Sequence, residues 1–169
     1  ELNAKYREGL MKNRYIGRTF IMPHQEKRNE SIKTKLSPVK RELEGRNILL
    51  VDDSIVRGTT SKELIRLVRE GGARKVHFAV SSPPLRNPCY YGIDMQTKQD
   101  FIALNKSVEE VRKLIEADSL TYQTMEGLVK AVSGKPDMDF CTACFSGNYP
   151  VPVEECDVER IKEDRSFQY

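Results

Sequence analysis

Hydrophobic positions along this chain change period several times, and each change marks an element. Ile48 to Val51 form an unbroken apolar run, the pattern of a strand buried on both faces of a parallel sheet. Downstream, Leu64, Ile65, Leu67 and Val68 share one helical face, and Thr60 with Glu63 reads as the capping box that opens it. Gly71 and Gly72 stop that helix. Val76, Phe78 and Val80 mark a second strand, and Ser81 to Pro84 break regular structure at its end. Ser107 with Glu110 is another capping box, in front of a helix whose Val108, Val111, Leu114 and Ile115 face inward. A strand near Leu120 to Tyr122 and a helix from Met125 to Val132 follow. Strands separated by helix-length crossovers predict an α/β fold with a parallel sheet flanked by helices. His77, inside a strand, is expected to be a core or edge residue and not a catalytic base.

Upstream of the apolar run the pattern is less regular. Leu2, Tyr6 and Leu10 recur every four residues, which predicts the end of an amphipathic helix, and Thr19 to Met22 a short strand with Arg14 and Arg18 just ahead of it. No start signal precedes Glu1, so the chain is expected to be a piece of a longer polypeptide. Pro23 to Ser37 has almost no apolar content, and a connection this long is either a solvated linker or a functional loop. Ser37 and Pro38 read as a helix cap and first helical residue, with Val39 and Leu43 facing inward before Gly45.

The 169 residues suit one compact domain with a short appendage. Hydrophobic content of 38% and charged content of 31%, with no long apolar run, argue against a membrane span. A net charge of +3 is too small to point to a nucleic-acid partner. Four cysteines without a secreted disulfide pattern, and no signal segment, lead to the expectation of a cytoplasmic protein.

Candidate chemistry concentrates in NILLVDDSIVRGTTSKE, from Asn47 to Glu63. Asp52 and Asp53 end a strand, a turn-rich loop follows, and a helix begins. Backbone N–H groups at a helix start, with Gly58 allowing close approach and the hydroxyls of Ser54, Thr59, Thr60 and Ser61 nearby, form a phosphate cradle. It lacks the lysine and spacing of a P-loop. Two carboxylates beside the cradle would repel a bare phosphate, so they must face hydroxyls or a cation; a sugar phosphate with magnesium satisfies both halves. The bland alternative is a strand-end turn and an ordinary cap. Cys141 and Cys144 have the spacing that lets neighbouring thiolates hold one metal centre. Zinc on all four cysteines and a set of inert buried thiols are both open on the residues alone, although Glu154, Glu155 and Asp157 oppose a thiolate at Cys156.

LLVDDSIVRGTTS resembles the phosphoribosyl pyrophosphate (PRPP) signature of type I phosphoribosyltransferases, and in this form that of the glutamine PRPP amidotransferase family. EGLMKNRYIGRTFI, RNPCYYGID and CTACFSGNYP are similar to the same family and occur in its order, so the resemblance runs from Glu8 to about Pro150. It implies a type I phosphoribosyltransferase fold, incomplete on its N-terminal side, with a partial phosphoribosyltransferase domain over 1–134 and a C-terminal segment over 135–169. The implied activity is transfer of ammonia to PRPP, giving phosphoribosylamine and pyrophosphate, the first committed step of purine biosynthesis. In the family the ammonia comes from glutamine, released by an N-terminal glutaminase domain; that part and an upstream serine of the metal site are absent here, so the chain alone is expected to be inactive. Asp52 and Asp53 are implied to hold the ribose hydroxyls and magnesium, and Ser54, Gly58, Thr59, Thr60 and Ser61 the 5'-phosphate, with Arg57 also on PRPP. Gln25, Arg28, Lys33 and Lys35 fall where the family has a loop that closes over PRPP, which makes Arg28, Lys33 and Lys35 the catalytic cations. Iron-sulfur members match at Cys89, Cys141 and Cys144, implying a 4Fe-4S cluster whose fourth ligand lies upstream of this chain. Purine nucleotides as feedback inhibitors and a homo-oligomer are also implied. Two alternatives are a PRPP-binding regulatory module, for which no basic DNA-binding helix is visible, and a nucleobase phosphoribosyltransferase, which would have no use for the three cysteines.

Overall fold

The computed structural model describes residues 5–13, 36–93, 95, 98–134 and 139–152. Their elements are β1 (Leu10–Lys12), β2 (Leu36–Pro38), α1 (Lys40–Leu43), β3 (Asn47–Asp52), α2 (Thr59–Glu70), β4 (Lys75–Val80), a 3-10 turn (Lys98–Asp100), α3 (Val108–Ile115), β5 (Ser119–Tyr122), α4 (Met125–Val132) and α5 (Ala143–Ser146). The order β3-β4-β5, with a helix in each crossover, is the expected parallel sheet flanked by helices. By contact density the chain divides into two compact units.

The first unit draws on Glu1–Asp52, Arg57–Ala79 and Ser107–Thr121. Its core is Ile65 and Val68 of α2, Val76 and Phe78 of β4, and Val111 and Ile115 of α3, all fully buried, and α2 packs on α3. The capping box at Ser107 forms as expected: Ser107 Oγ accepts from the Glu110 N–H at 3.3 Å, and the Ser107 N–H donates to Glu110 Oε2 at 2.7 Å. Of the four residues assigned inward on α3, however, Val108 and Leu114 are 41% and 45% exposed. An eight-residue helix lying on one neighbour covers a narrow stripe, which Val111 and Ile115 fill.

Four further expectations are corrected here. No helix covers residues 5–9, and Leu10–Lys12 is a strand, antiparallel to β2 with Leu10 opposite Pro38; pairing with a partner distant in sequence overrides a weak local period. Ser37 and Pro38 therefore lie in β2, and α1 starts at Lys40 with Val39 as its cap. Leu43 is buried as expected, wedged against two glycines: a Cβ on Gly9 would stand 2.8 Å, and one on Gly71 2.6 Å, from its side chain. Thr60 and Glu63 form no capping box, because α2 begins earlier, on Gly58, and the Glu63 carboxylate accepts from Arg66 at 3.3 Å instead. Finally, β3 is not covered on both faces: it ends the sheet among the described residues, with Leu49 54% and Val51 68% exposed.

An ionic cluster fastens α2 to the end of α3. Glu116 sits in the left-handed region (φ 64°), where glycine is the usual occupant, and its carboxylate accepts from Lys62 Nζ at 2.7 Å and Arg66 Nε at 3.2 Å. Arg66 first, and then Lys62, pull its pKa down to about 2. A depressed carboxylate contributes stability above its ordinary range and loses it as pH falls toward the folded value. Glu116→Gln should therefore flatten the acid limb of the stability curve between about pH 4.5 and pH 2, read by urea unfolding at each pH; an unchanged limb would show that other carboxylates set it.

The second unit draws on Asp53–Val56, Val80–Lys106 and Tyr122–Tyr169. Ile55, Leu85, Phe101, Ala103 and Ala143 form its core. Thr124 caps α4 by accepting from the Gly127 N–H at 3.0 Å. His77, back in the first unit, is half-buried on β4 with Nδ1 2.7 Å from Ser119 Oγ, a structural strand residue.

Candidate active site and cysteine cavity

The apolar run of β3 ends at Asp52, and residues 53–58 form an irregular loop leading into α2. Asp52 is half-buried; Asp53 is exposed and accepts from Ser54 Oγ at 2.9 Å. Ile55 is buried and the Val56 carbonyl accepts from the Ile102 N–H at 2.8 Å, so the middle of the loop is anchored while both ends carry polar groups. Gly58 then turns the chain with φ 78° and serves as the N-cap of α2, its carbonyl accepting from the Lys62 N–H at 2.9 Å. A residue with a Cβ would be strained there.

Gly58 brings no side chain to cap the helix. The first N–H groups of any helix lack intrahelical partners, so the start of α2 presents donors and the positive end of the helix dipole to whatever lies in front of it. Thr59 is half-buried, Thr60 exposed and Ser61 buried. Arg57, just before the glycine, is exposed. The sequence thus places two carboxylates at a strand end and, five residues after Asp53, the glycine on which the helix starts. Arg28, Lys33 and Lys35, with Gln25, Arg14, Arg18 and the strand expected at Thr19 to Met22, lie outside the described residues.

Three cysteines meet within the second unit. Cys89, Cys141 and Cys144 are thiols lining one cavity of about 310 Å³, with Tyr91, Ile93 and Tyr149 in its wall. Cys144 and Cys89 are half-buried and Cys141 exposed. Burial first, and then the nearby Cys89, push the Cys144 thiol above its ordinary pKa, as expected where thiolates would crowd one another. Among the described residues no group of three His, Cys, Asp or Glu side chains is arranged to hold a metal ion. Cys156 lies outside the described residues. The main chain joins the two cysteine-bearing segments: the N–H groups of Arg86 and Asn87 both donate to the Cys144 carbonyl at 3.0 Å. Around the thiols stand tyrosines that sequence reasoning passed over, although CYYG and NYP lie beside the cysteines. Tyr149 packs against Tyr90 with ring centroids 5.0 Å apart and planes tilted by 40°, and meets Tyr91 edge-on at 6.3 Å.

A parallel sheet flanked by helices, with an acidic pair at a strand end and a helix that starts on a glycine, defines an α/β protein. The phosphoribosyl transferase domain family matches residues 16–108, more than half of the chain, and the chain belongs to that family. Among its relatives, the amidophosphoribosyltransferase of Methanothermobacter thermautotrophicus is 49% identical over 95% of this chain and 34% of its own length. That of Bacillus subtilis is 46% identical over 94% of this chain and 34% of its own. The solved structure of the B. subtilis glutamine PRPP amidotransferase, complexed with ADP and GMP, superposes with a TM-score of 0.74 at 48% identity over 87% of this chain and 33% of that one. The chain thus spans about a third of the length of these relatives.

Proposed function

We propose that this chain is the phosphoribosyltransferase part of an amidophosphoribosyltransferase, which moves ammonia derived from glutamine onto the anomeric carbon of PRPP and releases pyrophosphate, at the entry to purine synthesis. The observation that carries this reading is the acidic pair of Asp52 and Asp53 ahead of a helix that starts on Gly58, in a chain whose relatives bear that activity in their names over nearly its whole length.

In the reaction a C–N bond forms at the anomeric carbon, the bond to pyrophosphate breaks, and the attacking ammonia gives up a proton. Positive charge grows on the sugar and negative charge on the departing pyrophosphate. Asp52 and Asp53 would accept hydrogen bonds from the ribose hydroxyls and oppose the first charge. The N–H groups of Thr59, Thr60 and Ser61, with Ser54 and the Thr hydroxyls, would hold the 5'-phosphate against the helix dipole, and Arg57 would reach PRPP from the loop. Arg28, Lys33 and Lys35 would oppose the second charge. No protein nucleophile is required. The adjacent carboxylates suit magnesium, a hard cation that takes oxygen ligands and neutralises pyrophosphate when bound.

For the cysteine cavity we propose a 4Fe-4S cluster held by Cys89, Cys141 and Cys144 with one ligand from the rest of the enzyme. The three thiols line one cavity, and cysteine thiolates are the ligands that hold such a cluster. Such a cluster would tie this region together and supplies no step of the transfer. The nucleotides in the B. subtilis complex support purine nucleotides as inhibitors, and a homo-oligomer is proposed with them.

The test is made on the full-length protein. With magnesium and PRPP it should release pyrophosphate when given glutamine or ammonium, and none when given nucleobases in their place. Pyrophosphate released with a nucleobase and not with ammonium would replace this reading by the nucleobase transferase; tight PRPP binding with no turnover on any acceptor would replace it by a binding module.

A further inference from the structure

Resting on the reading of the cysteine cavity as a cluster site, we propose that Tyr149 is a positioning residue that sets the direction of Cys89 within it. The peptide group between Pro88 and Cys89 is held at both ends. Its oxygen, on Pro88, accepts from Tyr149 Oη at 2.8 Å, and its N–H, on Cys89, donates to the Met95 carbonyl at 2.9 Å. These two bonds hold the plane of the peptide that precedes Cys89, and so narrow the directions in which its Cα–Cβ bond, and with it the thiol, can leave. The Met95 bond is local to the Cys89 segment. The Tyr149 bond comes from the other segment, five residues beyond Cys144, and so makes the direction of Cys89 depend on the position of the Cys141 and Cys144 arm.

The Tyr149 ring itself packs against both Tyr90 and Tyr91, which helps to keep its hydroxyl on the Pro88 carbonyl. Tyr91 makes a bond of similar kind but at a different place: its hydroxyl donates to the Val151 carbonyl at 3.1 Å and accepts from the Val151 N–H at 3.2 Å. That contact lies beyond the last cysteine and touches no cysteine peptide. Tyr91 therefore serves as an internal comparison, a tyrosine latch of similar size without a thiol to aim.

The experiment compares wild type, Tyr149→Phe and Tyr91→Phe in the full-length protein, purified without oxygen. After the metal is stripped with a chelator, alkylation of each cysteine is followed by peptide mass spectrometry. Tyr149→Phe should change the rate at Cys89 relative to Cys141 by about fivefold, the factor that one net hydrogen bond is worth, and Tyr91→Phe should leave that ratio alone. In protein that still holds its cluster, Tyr149→Phe should keep full iron and sulfide content but shift the electron paramagnetic resonance signal of the reduced centre. An unchanged Cys89 ratio in Tyr149→Phe overturns the proposal, as does an equal rise at all three cysteines with a lowered melting temperature. Absence of iron from wild type would refute the cluster reading alone, because the alkylation ratio is measured without metal.

Discussion

Asp52→Asn and Asp53→Asn in the full-length enzyme should each lower kcat/KM for PRPP by roughly 10- to 150-fold, the factor that corresponds to losing ~1.5–3 kcal/mol from a hydrogen bond to a charged group. An amide keeps the shape of the carboxylate and removes its charge. It therefore takes away the partner of a growing positive charge and a hard ligand for magnesium while leaving the chain path intact. Neither residue belongs to the buried core, so the melting temperature should stay within a few degrees of wild type, which separates this outcome from misfolding. Because the half-buried Asp52 closes β3 whereas the exposed Asp53 already accepts from Ser54, the two need not be equal, and calorimetry with and without magnesium divides their effects. If both variants bind PRPP and turn it over within about twofold of wild type, the acidic pair is only a strand-end turn.

The central succession from β3 to α4 was legible in the sequence because its signals are local. The alternation of Val76, Phe78 and Val80, the capping box at Ser107 and the paired Gly71 and Gly72 each act within a few residues, and each element formed where the pattern put it. Two of the misses have a cause at longer range. Leu10 joins a strand because Pro38, distant in the chain, supplies its partner, and Gly9 packs under Leu43; neither contact is written in a four-residue period. At the start of α2 two cap signals competed. Thr60 with Glu63 is the stronger string, but Gly58 alone could adopt the left-handed turn that the loop requires, and the helix began there. Of the candidate sites, the acidic pair and the helix start after it form one contiguous string, whereas the cysteine cavity joins residues more than fifty apart in the chain. The spacing offered only the pair at Cys141 and Cys144, and Cys89 was added to it by the family resemblance; the tyrosines around all three needed the fold.

Cys144→Ser should remove the proposed cluster almost entirely, taking iron in anaerobically purified full-length protein from about four per chain to near zero. The argument rests on where Cys144 stands. Its carbonyl is fixed by two main-chain donors and its thiol faces the cavity that Cys89 and Cys141 share, so no other described cysteine can take its place by a rotamer change. Serine has nearly the same shape and will keep the main-chain bonds, but its hydroxyl is a hard, weakly acidic donor, poorly matched to an iron-sulfur centre that cysteine thiolates hold. Retained folding with lost iron would therefore isolate ligand chemistry from packing. Cys156→Ser, placed among acidic neighbours that oppose a thiolate, should keep its full iron and sulfide. The brown absorbance, iron and sulfide should fall together in the first variant and stay together in the second. Stoichiometric zinc without iron in wild type would overturn the cluster, and iron retained in Cys144→Ser but lost in Cys156→Ser would move the ligand set to the C-terminal cysteine.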